Sequence, residues 1–65
     1  MSTKLARRLM DLRLAQNLTQ EQLAEKASVT QQYIGLLERG ERTPSLGMLQ
    51  RLAKAFGVKI TYLLE

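Results

Sequence analysis

Sixty-five residues make one domain near the lower end of what folds without a covalent or metal staple, and such a chain buries only about 60% of its unfolded surface. It contains neither cysteine nor histidine, so no disulfide and no zinc site with the usual nitrogen or sulfur ligands can support it, and packed helices must supply the core. Ten Lys and Arg against six Asp and Glu leave a net charge of +4, which favours a polyanionic partner, and no apolar run approaches the roughly 18 residues of a membrane span.

Leu5, Leu9 and Leu12 recur at helical spacing with Lys4, Arg7, Arg8 and Asp11 on other faces, which predicts a first amphipathic helix over Thr3 to Gln16. Asn17 tolerates the left-handed conformation of a helix end, and Leu18 folds back past it as an apolar contact. Thr19 with Gln22 three residues later is a capping box that opens a second helix over Gln20 to Ala27. Ser28 stands at the turn, where a glycine would fit more comfortably, and a left-handed serine there costs roughly 1 kcal/mol. Thr30 caps a third helix that extends to Arg39 and stops at Gly40. After the loop Gly40 to Pro44, Ser45 caps a fourth helix whose Leu46, Leu49, Leu52, Ala53 and Phe56 keep helical spacing up to Gly57. A short fifth helix over Ile60 to Leu64 closes the chain. Nothing suggests a strand, and the fold class expected over residues 1–65 is all-α, a compact bundle of four to five helices.

The segment over about residues 20–39 is the most constrained. Leu23, Ala24 and Ala27 put an apolar edge on one helix and Val29, Ile34 and Leu37 on the next, with only Ser28 and its neighbours to turn the chain between them. Helices joined so tightly cross steeply, and a small residue such as Ala24 is wanted where the second passes closest. That is the steric content of a helix-turn-helix, and it points to DNA.

With these blocks in view, the chain resembles the phage repressor and Cro type of helix-turn-helix domain, the lambda repressor-like fold of the XRE family. The resemblance covers nearly all of the sequence. Its specific parts are Leu18 to Ala24, Ile34 to Gly40 with Glu38, Arg39 and Gly40 at the helix end, and Thr43, Pro44 and Ser45 followed by Leu49, Leu52, Ala53, Phe56 and Gly57.

The resemblance implies that helix three lies in the major groove and reads base edges from its N-terminal end. The readers are then Gln31 and Gln32, with Leu36 one turn further along. A glutamine amide sets a donor beside an acceptor, which suits N6 and N7 of adenine. Two exposed glutamines outside such a motif would be ordinary solvated positions. Leu36 departs from the family, which usually has a polar or basic residue there; it either touches a thymine methyl or packs on its neighbours. Gly35, about 1 kcal/mol worse than alanine in a helix, either permits close approach to DNA or is a tolerated surface glycine. Gln20, at the start of helix two, is the implied phosphate ligand, with Tyr33, Arg39, Arg42 and Thr43 flanking the recognition helix in the same role and Lys4, Arg7 and Arg8 as a basic rim.

Arg13 and Glu38 match a family pair that locks helix one to helix three, so their role is structural first. Ile60 and Tyr62 match positions that pair subunits in phage repressors, near the Thr43 to Leu46 region, or else they close the small core. Two copies on half-sites about 34 Å apart would supply the specificity that one helix lacks.

These implications describe a sequence-specific regulator of double-stranded DNA, a repressor acting as a homodimer on a palindromic operator, with no cofactor and no bound metal. An antitoxin or other protein-interaction module on the same fold is the alternative; it would be expected to carry a further segment for its toxin beyond Glu65. A third reading, a basic domain on RNA or a membrane surface, wants exposed aromatics or a wide apolar face, and only Tyr33 and Tyr62 are left for it. The further partners these readings admit are a toxin and, touched through Glu21 or Glu25, RNA polymerase. Acidic residues spread along separate helical faces give catalysis no footing, and the expected setting is a soluble, cytoplasmic, nucleoid-associated protein of a bacterium or phage.

Overall fold

A computed structural model describes residues 3–65 and contains α1 (Thr3–Ala15), α2 (Gln20–Ala27), α3 (Gln31–Glu38), α4 (Leu46–Phe56) and α5 (Ile60–Leu64). The predicted elements are all present; α1 and α3 each stop one residue sooner than expected, at Ala15 and Glu38. The principal extents are 23 × 23 × 21 Å. One apolar cluster holds the helices together, with Leu9, Leu23, Ile34, Leu37, Leu52 and Leu63 fully buried, so every helix contributes at least one leucine or isoleucine to the same centre.

The N-termini follow from side-chain capping. Thr19 Oγ1 accepts from Gln22 N at 3.0 Å while Gln22 Oε1 accepts from Thr19 N at 2.9 Å, which completes the capping box. Thr30 and Ser45 cap α3 and α4 through the amides of Tyr33 and Met48, both at 3.1 Å.

The C-termini share a single solution. At the ends of α1, α2, α3 and α4 a residue with positive φ is followed by one whose amide reaches five residues back: Leu18 to Arg13 at 3.0 Å, Val29 to Ala24 at 2.9 Å, Glu41 to Leu36 at 2.9 Å and Val58 to Ala53 at 3.0 Å. Gly40 and Gly57 take the left-handed position in two of these turns, but Asn17 (φ 57°) and Ser28 (φ 59°) take it in the other two. Ser28 is therefore strained as expected, and its exposed side chain gives nothing back in packing.

Replacing Ser28 by glycine keeps the backbone turn and removes that strain, partly offset by the greater freedom of glycine in the unfolded chain. Urea denaturation of Ser28→Gly is expected to give a stability higher by about 0.5–1 kcal/mol, with the melting temperature up by a few degrees.

Candidate nucleic-acid interface

The tight turn at Ser28 sets α2 across α3, with Ala24 and Ala27 buried at the crossing beside Ile34 and Leu37. The opposite side of α3 is left outward. Gln31 and Gln32 are exposed and Leu36 is half-buried. Together with Gln20 from the first turn of α2, and with Gly35 and Arg39, they line one open concavity. The structure thus brings the expected base readers into one surface.

Arg13 and Glu38 fix the geometry behind that surface. Arg13 Nε donates to Glu38 Oε2 at 2.6 Å and Nη2 to Oε1 at 3.1 Å, a bidentate pair with the side chains 11% and 4% exposed. Arg13 Nη1 also donates to the Leu18 carbonyl at 2.8 Å, and Gln20 Nε2 donates to Glu38 Oε1 at 3.1 Å. One carboxylate therefore ties α1, the α1–α2 turn, the start of α2 and the end of α3. Gln20 belongs to this network as well as to the outward concavity, a double placement that the sequence reading did not anticipate.

The flanking residues divide. Arg42 lies over the Tyr33 ring at 6.0 Å from its centroid, and Tyr33 is half-buried against the core, so the pair stands outside the concavity that Gln31 lines. Thr43 is exposed in the following loop. Arg39 is not at the flank but inside the concavity, where its Nε donates to Glu41 Oε2 at 2.7 Å. Gly35 is buried, not a surface glycine, because the Arg39 side chain covers it. Glu41 is the participant that sequence reasoning missed; the only signal was an acidic residue two positions past Arg39 across the Gly40 turn.

The basic rim separates too. Arg7 pairs with Asp11 at 3.4 Å and shares a hollow with Glu38, Arg39 and Gly40 at the end of α3. Arg8 instead turns to α5, stacking 4.9 Å from the Tyr62 ring centroid and donating to the Tyr62 carbonyl at 2.9 Å. Tyr62 remains 42% exposed beneath it, whereas Ile60 is half-buried against the core.

The helix-turn-helix family profile matches residues 9–63. The chain belongs to the helix-turn-helix family. It is 50% identical over 48 residues to an HTH-type transcriptional regulator of Methanocaldococcus jannaschii, covering 74% of this chain and 73% of that protein. The controller protein C.AhdI of the Aeromonas hydrophila restriction-modification system superposes with a TM-score of 0.91 at 38% identity, over 94% of this chain and 92% of that one. The biofilm-formation master regulator SinR, solved in complex with DNA, superposes with a TM-score of 0.88 at 27% identity, covering 94% and 98% of the two chains. The chain spans only 48% and 38% of two other curated relatives.

Removing one partner of the nearly buried pair strands the other, at a cost of about 3–5 kcal/mol, a large part of what a small domain has. Chemical denaturation is expected to show Glu38→Ala destabilised by that amount. The double variant Arg13→Met with Glu38→Leu, which removes both charges, is expected to lose less than Glu38→Ala alone.

Proposed function

We propose that this protein is a sequence-specific double-stranded DNA-binding transcriptional regulator, not an enzyme, that presents α3 to the major groove. The observation that carries the reading is the concavity in which Gln20, Gln31, Gln32 and Leu36 meet on one helix pair. The amides of Gln31 and Gln32 on that surface offer paired donors and acceptors to adenine, and Leu36 offers an apolar contact to a thymine methyl. Gln20, Tyr33, Arg42 and Thr43 hold phosphates on either side, which sets register without reading sequence. The DNA complex of SinR supports the reading through its fold.

The functional unit is a homodimer on a palindromic operator, joined through α5, and the regulation is repression. Exposed Tyr62 and Leu64, 42% and 55% accessible, give α5 an apolar surface for a second copy. Arg8 steadies the Tyr62 ring in that surface.

Selection from a random duplex pool at moderate salt is expected to return a palindrome. Gln31→Ala and Gln32→Ala each relax one base preference in every half-site, by about 1–3 kcal/mol. An unenriched pool, with binding that merely falls as salt rises, would move the assignment to a protein-interaction module. Sedimentation of Tyr62→Ala is expected to show a weaker dimer, with DNA binding shifted to higher protein concentration but unchanged base preference.

A further inference from the structure

Arg39 closes α3, and its side chain runs back along the helix over the preceding turn, the direction that long helical side chains favour. A Cβ added at Gly35 would stand 3.1 Å from Arg39 Nη1 and 3.9 Å from Arg39 Cζ, and 3.9 Å from Gln20 Nε2 as well. The guanidinium therefore packs against the bare backbone at position 35, closer than a side chain there would comfortably allow. Four residues of helix amount to about 6 Å, so this seat carries the cation one turn toward Gln31 and Gln32 and into the concavity they line.

Glu41 sets the orientation. The left-handed turn at Gly40 (φ 73°) brings Glu41 back beside the helix end, where its Oε2 accepts from Arg39 Nε. With Nε engaged by a carboxylate, the two terminal amino groups form the edge that meets an acceptor pair. The planar fork matches two adjacent acceptors, and in the major groove guanine presents them as O6 and N7.

The geometry points to Arg39 as a base-reading residue specific for guanine, seated by Gly35 and oriented by Glu41. This rests on the DNA-reading function proposed above and adds a base to it. Gly35 and Glu41 act through Arg39 and are positioning residues. The glycine in the middle of α3, unfavourable for the helix, then has a function: it makes room for the guanidinium of a residue one turn later.

The test is duplex selection with the wild-type protein, Arg39→Lys, Gly35→Ala and Glu41→Gln, followed by titration of the winning duplex and its single-base variants at fixed salt. The wild-type motif is expected to contain a guanine in each half-site apart from the positions that respond to Gln31→Ala and Gln32→Ala. Arg39→Lys keeps the charge but loses the fork, so the preference for that guanine falls about 10-fold while the other positions keep theirs. Gly35→Ala favours the helix and so does not lower the melting temperature, yet its Cβ displaces the guanidinium by a few tenths of an ångström and weakens the same preference. Glu41→Gln weakens it with Arg39 intact. An unchanged guanine preference in Arg39→Lys, or a motif without that guanine, overturns the assignment of Arg39 while leaving the glutamine readers standing. A loss confined to Arg39→Lys overturns the roles of Gly35 and Glu41. No enriched motif for the wild-type protein overturns both this inference and the function on which it rests.

Discussion

The carboxylate of Glu38 is the point on which the geometry of this domain depends. It accepts from Arg13 Nε, Arg13 Nη2 and Gln20 Nε2, and the same Arg13 holds the Leu18 carbonyl one residue ahead of the Thr19 cap. A charge only 4% exposed is costly to desolvate, and the bidentate arginine with one further donor is what offsets that cost. The net gain in stability is small, since apolar residues of the same volume would pack at no electrostatic penalty. What the network adds is direction: hydrogen bonds of fixed geometry set the angle between α1 and α3 and bring the first turn of α2 beside the end of α3. Gln20 is thereby placed against the concavity with an orientation that hydrophobic contact alone would not specify.

The remaining polar contacts repeat the principle at the chain's turns. Carbonyls left over at or after helix ends are taken by long side chains from elsewhere: Phe56 O by Gln16 Nε2 at 2.8 Å, Ser28 O by Arg51 Nη2 at 2.6 Å and Tyr62 O by Arg8. Among the described residues no buried side-chain nitrogen or oxygen lacks a partner. A core this small has little apolar area to spare, so tying turns and helix ends with hydrogen bonds from distant helices gives rigidity that packing does not supply. The outward face of α3 benefits, because it belongs to a helix whose two ends are both fixed.

How far the sequence revealed this depended on the range of each interaction. Helix starts were legible because capping is local: Thr19, Thr30 and Ser45 act on amides three residues away. The core was legible because apolar spacing is local as well. The outward placement of Gln31 and Gln32 followed from helical phase once Ile34 and Leu37 were assigned inward. Contacts made by long flexible side chains were not legible. The charge pattern and the resemblance put Arg8 on a DNA-facing rim and Arg39 at the flank of the helix, whereas the fold sets Arg8 on Tyr62 and Arg39 over Gly35. Nothing in the pattern of charges states which of several rotamers a surface arginine adopts, since that depends on which neighbour the fold brings near. Only the family resemblance joins Arg13 to Glu38, as their separation in the chain carries no local signal.

The distribution of charge separates attraction from recognition. On and beside the α3 surface, Arg39 is paired with Glu41, Arg7 with Asp11 and Arg13 with Glu38, so much of the positive charge there is already balanced. Lys26, Arg51 and Lys54 instead line a hollow at the C-terminal end of α2 with no carboxylate among its lining residues. Six residues of α2 put Lys26 about 9 Å beyond Gln20 along the helix axis, comparable to the Debye length of about 8 Å at physiological ionic strength. These cations add to the field that draws a polyanion toward the protein in dilute salt and are largely screened from the α3 surface otherwise. If DNA is read as proposed, discrimination falls to amides, a leucine and a tethered guanidinium, groups whose contribution depends on fit rather than on net charge. A basic protein with a weakly charged reading face holds nonspecific DNA loosely at cellular salt, and that keeps the ratio of specific to nonspecific binding from being lost to phosphate attraction.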